Sequence, residues 1–474
     1  MAEKIWYRFV GQVADSLLVH LVDRAARSLR SGNLFDTFGS LGSAAALYGL
    51  LAPYFVAYSH FTKDKALAKE IARRHNLSMH GETREGIFSV AHFLDTVRDV
   101  NGVAKTLLQQ LQTARDLGHQ LTLFTSEESD DGLPDGVINF RPVGRYQLPE
   151  YPELSLSLPP FLQILATCYE QSFTQIHSAT PGPMGLAALA TARILSLPIA
   201  ATYHTAFPQY VKRLTGDEGL EAATWRYIIW YYNQMDQIYV PSAATGQELI
   251  DHGVSREKIR TYPRGVDTEF FHPGLASERF RLPHGLNGKT AALYVGRISK
   301  EKDLDLLCQA YKRLPKTHPD TALVVVDDGP YREEMERTLE GTPAVFTGYL
   351  SGKELAEAYA SCDFFVFPST TDTFGNVVLE AQASGLPVVL SDQGGPQENV
   401  MEGETGLIFR GSVEESLLQV LVWMSSRPEK RREMGRKARA FVEKRSFQKA
   451  FLTMRQMYEA DFHGGKGDAL REAV

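Results

Sequence analysis

Residues 369–395, S-T-T-D-T-F-G-N-V-V-L-E-A-Q-A-S-G-L-P-V-V-L-S-D-Q-G-G, decide the fold that this sequence predicts. An apolar run, residues 364–368, leads into a loop rich in serine and threonine. A glycine-containing turn at residues 373–375 then opens a helix, which G-L-P at residues 385–387 stops before a short strand over 388–391. Strand, loop, helix and strand in this order form the unit from which parallel sheets are built.

Two carboxylates lie on this unit, Asp372 just before the predicted helix and Glu380 within it. Free N–H groups and the positive dipole end at a helix N-terminus favour an anion, and Gly375 lets the backbone approach a ligand closely. Carboxylates can bind the hydroxyls of a sugar, and N–H groups can bind phosphate. This combination is typical of a site for a nucleotide sugar. From spacing alone, Asp372 also fits a plain helix cap and Glu380 a solvated helix residue.

The composition is typical of a soluble globular protein, with 43% hydrophobic and 23% charged residues in a chain of 474, enough for two or three domains. The net charge of -7 argues against a nucleic-acid partner. Residues 1–80 contain 10 Lys and Arg against 6 Asp and Glu, a local +4, which leaves 40 against 51, or -11, for the remainder. The N-terminal segment is therefore basic within an acidic protein.

Cysteine use indicates a reducing compartment. Cys168, Cys308 and Cys362 are far apart and show neither metal-ligand spacing nor a disulfide framework. The first residues lack the long apolar core and the cleavage site of a signal peptide. These features together predict a cytoplasmic protein.

The N-terminal segment has its own pattern. Residues 1–35 carry apolar side chains at helical spacing. Residues 41–58 are apolar or small throughout, near the lower limit for a membrane span, and five Lys and Arg follow within 63–74. Three interpretations stay open: a packed helical hairpin, an interfacial or re-entrant membrane anchor, and a full span. The basic flank suits an anionic membrane face, so a membrane surface is one partner predicted for residues 1–80.

Beyond this segment, strands and helices alternate in two successive units. The first begins with a strand over residues 86–94, and the pattern restarts with a strand over 289–296. Residues 130–160, rich in Pro, Gly and Asp, are interpreted as a surface connection. Two doubly wound α/β domains are therefore predicted, and ligands of such sheets bind at the C-terminal ends of the strands. The predicted boundaries are a helical segment over 1–84, Rossmann-like domains over 85–275 and 276–444, and a helix and tail over 445–474.

Three further side chains are expected in the crevice. His204 ends a predicted strand, where a satisfied structural histidine is the alternative. Arg297 and Lys302 follow the first strand of the second domain, and two cations beside a helix N-terminus can bind a diphosphate. Because no D-x-D motif occurs in a comparable loop, we predict no metal and no cofactor, and these cations would neutralise the diphosphate.

Six motifs in order give the chain a resemblance to the retaining glycosyltransferase family 4, which has the GT-B fold. The most specific is residues 372–389, D-T-F-G-N-V-V-L-E-A-Q-A-S-G-L-P-V-V, which resembles the family's E-x7-E motif. The others are D-T-V-R-D-V-N-G-V-A-K-T (95–106), T-Y-H-T (202–205), P-R-G-V-D (263–267), V-G-R-I-S-K-E-K (295–302) and F-T-G-Y-L (346–350). The resemblance covers residues 88–445 and implies two Rossmann-like domains facing a cleft, the first for the acceptor and the second for the nucleotide sugar.

The resemblance implies a role for each matching residue. Glu380 would bind the donor ribose and Asp372 the hydroxyls of the transferred sugar. Arg297 and Lys302 would hold the diphosphate, and His204 would lie beside the reacting sugar. The remaining donor-binding positions are Gly102, which permits domain closure, the turn residues Phe374, Gly375 and Asn376, and Gly348 and Leu350 near the base.

The implied activity is metal-independent transfer of a hexose, with retention, from GDP-mannose or UDP-glucose to a lipid or glycan hydroxyl. The D-T-F-G form resembles the branch that acts on lipid and glycolipid acceptors, although Asp372 stands where the general pattern has Glu, one methylene longer. The expected location is the cytoplasm, peripheral on the cytoplasmic face of the membrane. The alternative is a non-catalytic GT-B protein that binds nucleotide sugar or scaffolds a membrane complex; the intact Arg297, Lys302, Glu380 and His204 argue against it.

Overall fold

The computed structural model describes residues 2–30, 51–75, 88–98, 102–148 and 151–469. The chain divides into two compact units: Met1–Thr202, Tyr231–Ile238 and Glu459–Val474 form the first, and Tyr203–Trp230 and Tyr239–Tyr458 form the second. The consecutive domain boundaries expected from the sequence stay predictions.

The helices and strands up to Thr202 are, in chain order, α1 (Ala2–Arg30), α2 (Ala52–Arg74), β1 (Val90–Phe93), α3 (Gly102–Asp116), β2 (Leu121–Thr125), β3 (Val137–Asn139), β4 (Gly144–Leu148), β5 (Tyr151–Leu158), α4 (Phe161–Gln171), β6 (Gln175–Ser178), α5 (Pro183–Leu195) and β7 (Ile199–Thr202). Further along the chain lie α6 (Phe207–Thr215), α7 (Glu218–Asn233), β8 (Gln237–Val240), α8 (Ala243–Asp251), β9 (Ile259–Thr261), α9 (Glu278–Arg281), β10 (Thr290–Val295), α10 (Leu304–Arg313), β11 (Thr321–Val326), α11 (Arg332–Thr338), β12 (Ala344–Gly348), α12 (Gly352–Ser361), β13 (Phe364–Phe367), α13 (Asn376–Ala383), β14 (Val388–Ser391), β15 (Gly406–Phe409), α14 (Glu414–Ser426), α15 (Pro428–Val442) and α16 (Phe447–Ala469).

Two large sheets organise these elements. One has seven strands in the order β3-β2-β1-β6-β7-β8-β9, and the other has six in the order β12-β11-β10-β13-β14-β15. In the six-stranded sheet each neighbouring pair is parallel. The order reverses beside the first strand of each sheet, so β10 lies between β11 and β13. Such a reversal creates the crevice in which open α/β sheets bind ligands.

The strands in the core of the second unit do not alternate between apolar and polar residues. Every residue of β11 and β13 is buried, T-A-L-V-V-V in the first and F-F-V-F in the second. Parallel strands covered by helices on both faces need apolar side chains on both faces. A continuous apolar run therefore predicts a strand in this unit, and the end of the run marks the start of the loop that follows the strand.

Several elements differ from the sequence expectations. The supposed surface connection over residues 130–160 contains β3 and the antiparallel pair β4–β5. Helix α6 and strand β15 were not expected, and α16 continues to Ala469, where a frayed tail was expected from residue 463. The apolar stretch over residues 41–58 lies largely outside the described residues, because α2 begins at Ala52.

Among the described residues, no helix is both long enough and apolar enough to cross a membrane.

Candidate active site

The site is built on two loops at the reversal point of the six-stranded sheet. One loop follows β10 and contains Arg297 and Lys302, and the other follows β13 and contains Asp372. Asp303 joins them, because its Oδ2 accepts hydrogen bonds from the Thr370 backbone N–H (2.9 Å) and from the Thr370 hydroxyl (2.7 Å). The predicted loops therefore lie side by side.

Lys302 and Asp372 form an ion pair in this site. The distance from Lys302 Nζ to Asp372 Oδ2 is 2.8 Å, and the two side chains are 13% and 20% exposed. Burial would lower the pKa of Lys302, but the carboxylate of Asp372 holds that pKa well above its usual value. The ammonium group is therefore charged at neutral pH and can bind an anion.

Helix α6 supports both loops. Lys302 Nζ donates to the Tyr210 hydroxyl (3.2 Å) and lies 5.6 Å from the centre of that ring. The Arg213 guanidinium contacts Asp303 Oδ1 at 2.5 Å and the Thr370 hydroxyl at 2.8 Å. Asp303 has a φ of 56°, which is uncommon for a residue with a Cβ. Its contacts with Thr370 and Arg213 stabilise that conformation.

His204 is held by Arg264. The guanidinium lies 2.6 Å from His204 Nδ1, donates to Asn376 Oδ1 at 3.2 Å, and stacks 5.4 Å from the centre of the Phe374 ring. A guanidinium only donates, so Nδ1 must be the acceptor and the neutral ring carries its proton on Nε2. One side chain thus fixes the tautomer of His204 and ties it to the turn that opens α13.

The turn itself is fixed by hydrogen bonds to its carbonyl groups. The Thr373 carbonyl accepts from the hydroxyls of Ser242 (2.9 Å) and Thr245 (3.2 Å), and the Phe374 carbonyl accepts from Asn399 Nδ2 (2.9 Å). Gly375 has a φ of +75°, in the region that favours glycine. The N-terminus of α13 is therefore held in one conformation.

Glu380 is buried, so it is not a solvated helix residue. Its side chain is 6% exposed, and Oε2 accepts a hydrogen bond from the Tyr359 hydroxyl at 3.0 Å. Burial and the neighbouring Glu380 carboxylate raise the pKa of Tyr359 well above its usual value, so the phenol remains a donor. A buried carboxylate with one oxygen fixed in this way is oriented for a second partner.

The other predicted positions lie on neighbouring elements. Arg297 is half-buried, and its carbonyl accepts from the Tyr294 hydroxyl at 3.0 Å. Gly348 has a φ of +77°, its carbonyl accepts from the Asp327 N–H (2.9 Å), and Leu350 is half-buried. Gly102 begins α3 in the first unit. Within the described parts of the chain, no cluster of three or more His, Cys, Asp or Glu could hold a metal ion.

Sequence reasoning missed Tyr210, Arg213 and Arg264. The first two lie on α6, a helix that was not expected. Arg264 belongs to the P-R-G-V-D motif, which could have pointed to it, although its partner His204 is 60 residues away in the chain. Only the fold brings these residues to the predicted ones.

Two family models match most of the chain. Glycosyltransferase Family 4 matches residues 100–270, and Glycosyl transferases group 1 matches residues 277–441. The chain is 36% identical over 371 residues to the sulfoquinovosyl transferase of Arabidopsis thaliana, across 76% of this chain and 71% of the relative. The chain belongs to the group 1, family 4 glycosyltransferases. The matched region begins after α1 and α2, so these helices lie outside both models of this glycosyltransferase.

Other known proteins resemble this glycosyltransferase. A GDP-mannose-dependent alpha-mannosyltransferase of Mycobacterium tuberculosis is 34% identical, over 65% of this chain and 80% of the relative. The alpha-monoglucosyldiacylglycerol synthase of Streptococcus pneumoniae is 27% identical, over 65% of this chain and 70% of the relative. The solved sucrose-phosphate synthase of Thermosynechococcus elongatus has a TM-score of 0.66 at 20% identity, covering 80% of this chain and all of that one. The predicted GT-B fold, with two parallel sheets and a helical N-terminal segment, is confirmed.

Proposed function

We propose that this glycosyltransferase moves a hexose from GDP-mannose or UDP-glucose to a lipid or glycan hydroxyl, with retention and without a metal ion. The observation that carries the proposal is the half-buried Lys302–Asp372 ion pair at the reversal point of the six-stranded sheet. It puts a cation for phosphate and a carboxylate for sugar hydroxyls at one ligand-binding edge. The name of the mannosyltransferase relative supports GDP-mannose as the donor, and the name of the monoglucosyldiacylglycerol synthase supports a glucosyl group and a lipid acceptor.

Donor binding would redistribute the contacts of this pair. The diphosphate binds Arg297 and Lys302, so Lys302 shares its ammonium protons between phosphate and Asp372. The second oxygen of Asp372 then accepts from a hydroxyl of the transferred sugar. Glu380, with one oxygen on Tyr359, accepts from a ribose hydroxyl. The turn residues Phe374, Gly375 and Asn376 present the N-terminus of α13 to the phosphates.

The reaction proceeds on one face of the sugar. The acceptor oxygen bonds to the anomeric carbon as the bond from that carbon to the phosphate oxygen breaks. The leaving phosphate oxygen takes the acceptor's proton, which gives a glycoside and a nucleoside diphosphate. The charge that develops on the leaving group is stabilised by Lys302 and Arg297, and the protein otherwise positions the reactants. His204 donates its Nε2–H to a sugar hydroxyl.

A covalent glycosyl-enzyme intermediate is not favoured by these side chains. A retaining double displacement needs a carboxylate nucleophile at the anomeric carbon. Asp372 is paired with the ammonium of Lys302, and Glu380 is buried against Tyr359. Both carboxylates therefore suit binding roles better than attack.

A lipid acceptor would place the enzyme at a membrane. We infer a peripheral position on the cytoplasmic face, since a cytoplasmic donor pool and a membrane-resident acceptor meet there. Gly102 and the first sheet would then serve acceptor access and closure, while Gly348 and Leu350 contact the base.

A donor panel tests the proposal. The full chain is incubated separately with UDP-glucose, UDP-galactose, UDP-N-acetylglucosamine and GDP-mannose, and thermal stabilisation and donor hydrolysis are recorded. One nucleotide sugar should stabilise the protein and be hydrolysed, and Lys302→Ala should remove both effects. Lys300→Ala is the matched control, because that lysine lies on the same loop but is exposed and pairs with Glu334. Stabilisation without turnover, even with diacylglycerol added, would favour a non-catalytic binding protein.

A further inference from the structure

Helix α1 has two unlike faces. Its inner face packs on the first unit, where Gly11 and Ala14 are buried and the Tyr7 hydroxyl donates to the Leu162 carbonyl at 2.7 Å. Tyr7 also packs edge-on against Tyr54 and Tyr58 of α2, at ring-centre distances of 5.8 and 6.0 Å. The contacts of the inner face therefore attach α1 to the rest of the first unit.

The outer face of α1 is apolar and exposed. Its members recur about every turn of the helix on the side opposite Gly11 and Ala14. They are Ile5 (64% exposed), Trp6 (61%), Phe9 (54%), Val13 (42%) and Leu17 (46%). We name these five residues the outer stripe. A contiguous exposed stripe of large apolar side chains is unusual on a soluble surface and marks an interaction site.

Most of the exposed charge near the outer stripe is positive. Arg24 and Arg27 continue the same side of the helix towards its C-terminus, and both are exposed. Residues 5–17 contain one acid, Asp15, which is half-buried on the inner side, where burial raises its pKa to about 6. Asp23, the exposed acid of the last turns, receives a hydrogen bond from the Tyr146 hydroxyl at 2.8 Å. The stripe thus ends in cationic side chains within an acidic protein.

Helix α2 adds a second surface of the same kind. Val56, Leu67 and Ile71 are 54%, 59% and 46% exposed on the side away from Tyr58. Lys63 and Arg74 are exposed on that side as well. Nine of the seventeen large apolar side chains that are exposed among the described residues lie on α1 and α2. The concentration is therefore particular to these two helices.

We propose that the outer faces of α1 and α2 lie in the surface of an anionic lipid bilayer. The outer stripe would enter the boundary between headgroups and acyl chains, and Arg24 and Arg27 would contact lipid phosphates. A tryptophan and a phenylalanine at the front of the stripe suit the membrane interface. This rests on the proposed function in one respect, that a lipid acceptor brings the enzyme to the bilayer.

The charge of this surface favours a lipid bilayer over a second copy of the chain as its partner. Two copies joined through this surface with their α1 helices parallel would bring Arg24 and Arg27 near the same arginines of the partner, which is unfavourable. An anionic surface pairs with them instead. The two helices also precede residue 100, where the family match begins.

Vesicle sedimentation of the full chain tests the proposal. Vesicles of equal phosphatidylglycerol and phosphatidylcholine are compared with pure phosphatidylcholine. We expect wild-type protein to prefer the anionic vesicles, Trp6→Ser/Phe9→Ser to bind them about tenfold more weakly, and Arg24→Gln/Arg27→Gln to lose the preference. Leu220→Ser/Leu282→Ser is the matched control, because both leucines are exposed elsewhere, and it should bind as wild type.

Two further readouts separate the outcomes. Nucleotide-induced thermal stabilisation checks that each variant is folded and keeps its donor site, so failure of vesicle binding and failure of the proposed function are told apart. Light scattering reports on association. Wild-type protein that ignores anionic vesicles, variants that bind as wild type, or a dimer that Trp6→Ser/Phe9→Ser dissociates without any vesicle binding would each overturn the proposal.

Discussion

Lys302 and Asp372 lie 2.8 Å apart although they belong to loops that follow different strands, β10 and β13. The strands are parallel neighbours at the reversal point of their sheet, so both loops emerge at the same edge. The pair joins a phosphate-binding cation to a sugar-binding carboxylate. Its members should therefore act as a unit in catalysis.

Lys302→Ala should lower kcat by about 10²-fold or more, because the leaving diphosphate loses a cation that is held in place by Asp372. Asp372→Asn should also slow the reaction, and the double variant should lose clearly less than the sum of the two single losses, since each variant already breaks the pair. Steady-state kinetics of the four proteins give this cycle, with Lys300→Ala as the control. Strictly additive losses would show that the two side chains act independently.

Arg297→Ala should cost on the order of 10²-fold in turnover, because this guanidinium is assigned to the developing charge on the diphosphate. The loss should appear mainly in kcat. Arg436→Ala serves as the control, since Arg436 is exposed on α15 and is not one of the predicted site residues. Unchanged turnover by Arg297→Ala would remove this residue from the site.

Arg264 is a positioning residue for His204. Arg264→Ala should reduce kcat about tenfold with little change in KM, because His204 loses the donor that fixes its tautomer. Arg264→Lys should not restore the rate, since one ammonium cannot contact His204 and Asn376 as the planar guanidinium does. In a His204→Ala background the Arg264 substitution should have almost no further effect. A full additional loss there would contradict the positioning role.

Tyr359→Phe should weaken binding of the nucleoside diphosphate about tenfold, because a hydrogen bond to the buried Glu380 carboxylate is lost. The readout is the Kd by calorimetry, together with kcat, which should change little. Tyr311→Phe is a suitable control, because Tyr311 is also buried and its hydroxyl donates to the Thr321 carbonyl at 3.1 Å, outside the proposed site. A Kd equal to that of wild type would argue that Tyr359 does not orient Glu380 for the ribose.

Stability should depend on pH through His92. Burial lowers the pKa of His92 to about 3, from 6.5, so the folded state keeps the ring neutral while the unfolded chain takes up a proton. The His92 contribution is therefore complete above pH 6.5 and is lost at up to about 1.4 kcal/mol per pH unit as the pH falls from 6.5 towards 3. Urea unfolding at pH 7, 6 and 5 should show a smaller slope for His92→Leu. Equal slopes would contradict this assignment.

The alternation of apolar strands and helices was enough to predict both sheets, because parallel strands buried on both faces give continuous apolar runs. The hairpin β4–β5 was missed because Pro, Gly and Asp around it indicate a loop, although Leu154, Leu156 and Leu158 alternate with polar residues. Helix α6 was missed although Pro208 lies in its first turn, where proline is favoured.

The candidate site was predictable where its residues share a motif. Asp372 and Glu380 lie on one strand–loop–helix unit, so their spacing alone suggested a ligand site. Tyr210 contacts Lys302 across 92 residues of sequence, and no local pattern records such a contact. Residues that position others through such long-range contacts can be identified only from the folded structure.

The anomeric configuration of the product tests the central claim most directly. The donor that responds in the panel, with its α-linked sugar, is incubated with the full chain and vesicles that contain diacylglycerol or phosphatidylinositol, and the glycolipid is analysed by NMR. The account predicts an α-linked glycolipid together with one nucleoside diphosphate per transfer, formed equally well in the presence of a chelator. A β-linked product would contradict it.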